Sequence, residues 1–170
     1  DIPALQELNL FKLDSQDNSN LTGAEFKVNF SNVQSYYVNG DEKTDTSTTV
    51  TVTEGKSLLE KIILADASKS ATITLEEIKA PEGYKKIDGK IYLTVKYTDD
   101  GYVITADKDS TVLDGEFNLD NPINVISKNK FKVNIKDIPA LQELNLFKLD
   151  SQKNSSLTGA EFKVNFSNVE

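Results

Sequence analysis

Apolar and polar residues alternate with a period of two along most of this 170-residue chain. The clearest runs are AEFKVNF at 24–30, IYLTVKY at 91–97 and FKVNIKD at 131–137. Because successive side chains of a strand point to opposite faces, this period predicts strands that bury one face. Turn signals such as Asn39-Gly40 separate the runs. The pattern predicts an all-β fold, a mostly antiparallel β-sandwich of at least about seven strands.

Residues 55–66, with the sequence GKSLLEKIILAD, fit two secondary structures. Leu58, Leu59, Ile62 and Ile63 have the spacing of an amphipathic helix. The same apolar run also suits a buried strand, and the β-rich context favours that alternative. We therefore expect a strand here.

Three strands each carry an ionisable residue where the alternation calls for an apolar one. These residues are Lys12, Glu77 and Asp137, each in phase with the apolar side chains that precede it. A buried charge is unfavourable unless it is paired, neutralised or consumed in a reaction. The alternatives are a buried ion cluster, charges that mark where each strand leaves the core, and groups that react with one another.

An amine and a carboxyl group that meet in a core can condense to an amide with loss of water. Burial favours the neutral amine of Lys12, which is a nucleophile, and a protonated Glu77, which can relay a proton. Proximity supplies the effective molarity that the reaction with Asp137 needs. Asn129, in phase at the other end of the last strand, is the alternative acyl partner and would release ammonia instead.

The amino-acid composition excludes most other kinds of catalytic, metal-binding and nucleic-acid-binding site. The chain has no Cys and no His, which excludes disulfides, Ser-His-Asp relays and the metal sites that these residues build, so we predict no cofactor and no metal. A net charge of −8 argues against nucleic acid binding, and no apolar run is long enough for membrane insertion. Glu76 and Glu77 are adjacent on one strand and point to opposite faces, so they cannot form a glycosidase carboxylate pair.

Other polar groups have simpler interpretations. The acidic loops 14–17 and 107–109 do not match a calcium-loop spacing and are predicted to be solvated. Tyr36, Tyr37 and Tyr102 could line a sugar or protein site, but exposed strand tyrosines are the favoured interpretation.

An internal repeat organises the chain. Residues 137–169 repeat residues 1–33 with only two differences, Lys153 for Asp17 and Ser156 for Asn20. This predicts a complete repeat domain at 1–137 and, at 138–170, the start of the next copy with its first two strands only.

The second copy has consequences for partners. Neighbouring repeats are the expected partners, and residues 138–170 could swap strands with another molecule or replace residues 4–33. Lys148, which repeats Lys12, is then the alternative amine. Because the chain begins at Asp1 rather than Met, we expect an internal fragment of a longer protein.

Three segments resemble the Cna B-type domains, also called SpaA-like or prealbumin-like domains. LNLFKLDSQDNSNLTGAEFKV is similar to the family's opening, and FKVNIKDIPA is similar to its closing strand, with Asp137 at a position that is usually Asn. ITLEEIKAPEGY resembles the family's E-box, with Ile73 and Ile78 as departures. The defining positions are filled by Leu75, Glu77, Ala80, Pro81, Gly83 and Tyr84.

This resemblance implies an immunoglobulin-like or prealbumin-like sandwich with an intramolecular isopeptide bond. Lys12 would be the amine, Asp137 the carbonyl donor and Glu77 the catalytic acid, in a single autocatalytic turnover rather than an enzyme's cycle. The resemblance also implies an extracellular location, on a cell-wall-anchored surface protein or pilus of a Gram-positive bacterium. The implied function is a structural stalk repeat of an adhesin; the alternatives are a module that binds a host matrix protein or glycan directly, and a pilin subunit domain.

Overall fold

The computed structural model describes residues 2–106, 123–127, 129–141, 143–167 and 169. These residues form strands and turns without a helix. The strands are β1 (Leu5–Asp14), β2 (Glu25–Ser31), β3 (Val33–Val38), β4 (Asp41–Lys43), β5 (Ser47–Thr51), β6 (Lys56–Leu64), β7 (Ala71–Lys79), β8 (Ile91–Thr98), β9 (Gly101–Ala106), β10 (Ile123–Ser127) and β11 (Lys130–Asp137).

The strands form two sheets, which confirms the predicted all-β sandwich. One sheet has the order β10-β11-β1-β6-β3-β4 and the other the order β5-β2-β7-β8-β9. Neighbouring strands are antiparallel except β1 and β11, which run parallel with Lys12 opposite Ile135 and Asp14 opposite Asp137. Because these two strands run in the same direction, their C-terminal ends lie side by side.

Residues 56–64 form β6, so the expected strand is confirmed. Its helix-like spacing has a local cause. Lys61 has a positive φ of 46°, and the pairing of β3 with β6 shifts register in this region. The irregularity changes which residues face inward, so that Leu59 and Ile62 are both buried although they lie three positions apart. That spacing imitates one turn of a helix.

The inward faces of the two sheets share one apolar core. From the strands that carry the ionisable residues, its buried members are Leu5, Leu8, Leu10, Ala71, Ile73, Leu75, Phe131, Val133 and Ile135. Tyr36 and Tyr102 are also buried, so the expectation that they are exposed is wrong. Tyr36 stacks on Phe30 with ring centroids 4.1 Å apart, and the Tyr102 hydroxyl donates to the Pro3 carbonyl.

The chain divides into two compact units, Asp1–Ala140 and Leu141–Glu170. The first unit extends three residues beyond the predicted boundary at 137. Lys85 N–H donates to the Ile138 carbonyl, and Ala140 N–H donates to the Gly83 carbonyl. These bonds hold the three added residues against the loop that follows β7.

In the second unit, the described residues form a turn but no named strand. The first copy of this sequence forms β1 and β2 by pairing with β5, β6, β7 and β11. Residues 141–170 include no sequence corresponding to those partners, and the apolar residues of this unit, such as Phe162 and Phe166, are exposed. Its assignment as the start of another repeat therefore stays a prediction.

Candidate cross-linking site

Lys12 lies on the inward face of β1, near the end of the strand. The alternation that buries Leu8 and Leu10 also buries Lys12, which has no exposed surface. Its ammonium nitrogen lies 5.4 Å from the centroid of the Phe26 ring, on the opposite sheet. The long side chain therefore reaches across the core rather than out to solvent.

Glu77 approaches Lys12 from the opposite sheet. It lies on β7, where it is paired with Phe26 of β2, and its side chain is 1% exposed. Its Oε1 lies 2.9 Å from Lys12 Nζ, and its Oε2 accepts a hydrogen bond from the Ile87 N–H at 2.8 Å. The backbone bond fixes one carboxyl oxygen and leaves the other directed at the amine.

Asp137 completes the cluster from the last strand. Lys12 Nζ donates a hydrogen bond to Asp137 Oδ1, and neither side chain has exposed surface. The Ser15 N–H donates to the Asp137 backbone carbonyl at 2.9 Å, which ties the end of β11 to the chain just after β1. The amine and the carboxyl carbon that would join therefore already lie in contact range.

The charges of this cluster do not balance. One ammonium and two carboxylates would carry a net negative charge in a buried site, where an unpaired charge is strongly unfavourable. A form in which the three groups share a further proton is therefore favoured. Sharing a proton makes the neutral amine and the neutral carboxylic acid accessible together.

Asp14 and Tyr84 adjoin the cluster and contact each other, which the sequence did not predict. Asp14 is 7% exposed, so the predicted solvated loop is wrong at this residue. The Tyr84 hydroxyl donates to Asp14 Oδ2 at 2.7 Å, and the Gln16 N–H donates to Asp14 Oδ1 at 2.6 Å. The in-phase position of Asp14, two residues after Lys12, was the signal that could have revealed it.

The bonds between Asp14 and Tyr84 move both pKa values. The Tyr84 hydroxyl, followed by the Gln16 N–H, lowers the pKa of Asp14 below its ordinary value of 3.8. The hydrogen bond to Asp14 raises the pKa of Tyr84 from 10.0 to about 12, and the charge of Asp137 adds to this effect. Asp14 is therefore an anion, and Tyr84 a neutral donor, throughout the physiological pH range.

The structure does not bring Asn129, the alternative acyl partner, to this cluster. Asn129 lies at the opposite end of β11, where its side-chain oxygen accepts from the Tyr102 N–H and its carbonyl accepts from Gln6 and Glu7. Lys148 is exposed in the second unit. The acidic residues 107–109 lie outside the described residues. Within the described part of the chain, no group of His, Cys, Asp and Glu is arranged to hold a metal ion.

The fold and the cluster together define a prealbumin-like domain. The family model of the SpaA prealbumin-like fold domain matches residues 6–111. The chain therefore belongs to the SpaA prealbumin-like domain family. No sequence among curated proteins matches it significantly.

Two solved structures illustrate the likeness. The pilus adhesin SpaC from Lactobacillus rhamnosus GG, in its open conformation, is 25% identical with a TM-score of 0.51, and the match covers 85% of this chain and 16% of the adhesin. A C-terminal fragment of the same adhesin is 25% identical with a TM-score of 0.49, over 83% of this chain and 47% of the fragment. This chain thus spans about half of the fragment. The described residues include no helix that could cross a membrane.

Proposed function

We propose that this chain is a self-cross-linked structural domain of a surface adhesin or pilus. The observation that carries the proposal is the contact of Lys12 with both Asp137 and Glu77 in a site with almost no exposed surface. The amine, the acyl group and a proton-relaying carboxyl group are the three parts that amide formation needs.

The condensation joins two side chains and releases one water. The neutral Lys12 amine attacks Cγ of the protonated Asp137 carboxyl group, and the new N–C bond forms as the C–OH bond breaks. Glu77 accepts a proton from the attacking nitrogen and delivers one to the departing hydroxyl, so that it ends in its starting state. The Ile87 N–H holds Glu77 Oε2, which keeps Oε1 beside the reacting nitrogen.

The bond would connect the first and last strands of the domain. Lys12 and Asp137 are 125 residues apart in the chain, and by analogy with disulfide loop entropy, closing a loop of this length stabilises the fold by about 5 kcal/mol. A load applied at the two ends of the domain would cross the new amide bond instead of separating β1 from β11. A chain without cysteine would gain a covalent clamp in this way.

A stalk role is supported by the repeat. Ala140, the last residue of the first compact unit, corresponds to Ala4, and β1 starts at the next residue, Leu5. In an array with this period, no residue would be left over for a flexible linker between successive domains. Closely joined, internally clamped domains suit a spacer that extends a binding tip.

The solved structures that resemble this chain support the proposed location. One solved structure that resembles this chain is a pilus adhesin, which supports an extracellular, cell-wall-anchored position on a Gram-positive bacterium. Neighbouring repeats of the same chain are the proposed partners, while host proteins would be bound through other domains.

The intact mass of the folded chain tests the proposal. We expect a mass lower than the sequence mass by one water, and a loss of one ammonia would instead assign Asn129 as the acyl partner. Tandem mass spectrometry of the branched peptide should join Lys12, rather than Lys148, to Asp137. Glu77→Gln should abolish the loss of water, whereas Glu76→Gln, on the opposite face of the same strand, should retain it. An unchanged mass in the folded wild-type chain would refute the cross-link.

A further inference from the structure

A third carboxylate, Asp14, adjoins the reacting groups but is held by other donors. Its Oδ2 accepts from the Tyr84 hydroxyl, and its Oδ1 accepts from the Gln16 and Asp17 N–H groups at 2.6 and 3.3 Å. Three donors directed at one carboxyl group stabilise its charged form. The negative charge of Asp14 is therefore fixed in place.

Asp14 is also the direct neighbour of Asp137. The two residues are opposite each other in the parallel pairing of β1 with β11, and both are buried. Neighbouring strands lie about 4.8 Å apart, so two inward side chains at this register position lie side by side. Lys12 is one inward position earlier on β1, and its amine extends to Asp137 and Glu77.

We propose that Asp14, held ionised by Tyr84 and the turn amides, drives the proton of Lys12 onto Asp137 and so populates the reactive pair. This inference rests on the proposed condensation between Lys12 and Asp137. A fixed negative charge beside Asp137 raises the free energy of its carboxylate, and the neutral carboxylic acid is relieved of that repulsion. The same charge attracts the Lys12 ammonium, but Asp14 is directly opposite Asp137 in the strand pairing, so the repulsion is the larger effect in this proposal. The proton lost by the Lys12 ammonium ends on Asp137, which leaves one neutral amine and one neutral acid.

Asp14 acts through Asp137 and is therefore a positioning residue rather than a catalytic one. The other charged or titratable groups around Asp137 are Lys12 on β1, Glu77 on β7, and Tyr84 in the loop after β7. Asp17 is exposed in the turn after β1. Lys85 and Lys86 are exposed, and Lys136 is on the outward phase of β11.

Two substitutions separate the charge of Asp14 from its hydrogen bond with Tyr84. Asp14→Asn removes the charge, but its side-chain oxygen can still accept the Tyr84 hydroxyl. Tyr84→Phe removes that hydrogen bond, but the Gln16 and Asp17 N–H groups still stabilise an ionised Asp14. A role in local architecture would make Tyr84→Phe the more damaging change, whereas a role in charge makes Asp14→Asn the more damaging one.

The rate of bond formation as a function of pH provides the measurement. The full 170-residue chain, recovered unfolded and uncross-linked from inclusion bodies, is diluted into buffers from about pH 4 to 9 and quenched at intervals for intact mass. Tyrosine fluorescence follows folding separately, so that slow folding is not mistaken for slow condensation. Glu76→Gln serves as the control for the loss of a carboxylate near the site but outside the core.

For Asp14→Asn, we expect the rate on the plateau of the profile to fall about tenfold, because the transfer of the proton from Lys12 to Asp137 is internal and its equilibrium does not depend on pH. The loss of an anion should also move both limbs of the profile towards acid. Tyr84→Phe should slow the reaction near pH 7 less than Asp14→Asn does, because the Gln16 and Asp17 N–H groups still stabilise the charge of Asp14. An unchanged or faster plateau rate in Asp14→Asn, or a loss of rate in Tyr84→Phe as large as that in Asp14→Asn, would overturn the inference while leaving the cross-link intact. A wild-type chain that folds but never loses water would instead refute the proposed condensation itself.

Discussion

The replacement of Glu77 by Gln isolates what the cross-link contributes to stability. Gln has nearly the same shape as Glu and keeps an oxygen to accept the Ile87 N–H, so the packing around β7 should be preserved. It cannot relay a proton between the Lys12 amine and Asp137. The variant should therefore fold without the amide bond and keep the full sequence mass.

The expected loss of stability can be worked out from the position of the bond. Two side chains 125 residues apart close a loop whose entropy corresponds to about 5 kcal/mol. The entropy of unfolding, about 2.1 cal/mol/K per residue, amounts to about 0.3 kcal/mol/K for a unit of about 140 residues. Dividing the two gives a fall in Tm of about 15–20 °C. The denaturant m-value should rise, because the unfolded chain without the cross-link exposes more surface.

A second variant separates the bond from the charges. Asp137→Ala also lacks the bond but leaves Lys12 paired with Glu77, whereas Glu77→Gln leaves Lys12 paired with Asp137. A similar fall in Tm in both variants identifies the missing bond as its cause, with an added cavity cost in Asp137→Ala. Glu76→Gln, which loses only a half-exposed ion pair with Lys90, should change stability by less than about 0.5 kcal/mol. If Glu77→Gln keeps the wild-type Tm while lacking the bond, the entropy argument is refuted.

Three further predictions follow from particular contacts. Gly55→Ala should destabilise the chain by about 1–3 kcal/mol, because the glycine has a φ of +82° and a Cβ there would lie 2.5 Å from Asn20; a denaturation midpoint equal to that of the wild type would contradict this. Asn129→Ala should cost about 1–3 kcal/mol through its lost hydrogen bond but retain the loss of one water in the mass spectrum. Folding raises the pKa of Tyr84 to about 12, so its bond with Asp14 contributes stability below pH 10 that is lost as the pH rises towards about 12. The stability difference between the wild type and Tyr84→Phe, measured by urea denaturation, should shrink over that range, and a constant difference would argue against the bond.

Local sequence determined the turn after β1, and the two copies show this directly. In the first copy, Asp14 N–H donates to the Ser19 carbonyl at 2.9 Å, and in the second copy Asp150 N–H donates to the Ser155 carbonyl at 2.9 Å. In both copies the aspartate carboxyl group also caps the amides that follow it. The turn forms with or without a surrounding sheet because its partners are only a few residues apart.

The strands next to this turn depend on distant partners. The same sequence that forms β1 in the first copy forms no named strand in the described residues of the second. A strand needs a neighbour for its backbone hydrogen bonds, and β1 obtains its neighbours from β6 and β11. The alternation of residues predicted which face of the strand would be buried. The strand itself forms only where neighbouring strands are present to pair with it.

The sequence by itself determined that Lys12, Glu77 and Asp137 would share the core with apolar residues, because a period of two assigns each side chain to a face. It left Asp137 and Asn129 open as acyl partners, since both are in phase on the last strand. Only the tertiary structure decided which of these two residues lies beside Lys12. Parallel pairing of β1 with β11 puts the end of β11 beside Lys12, whereas antiparallel pairing would have brought its beginning there. Strand direction depends on pairing between segments more than a hundred residues apart, and the alternation within each segment carries no information about it.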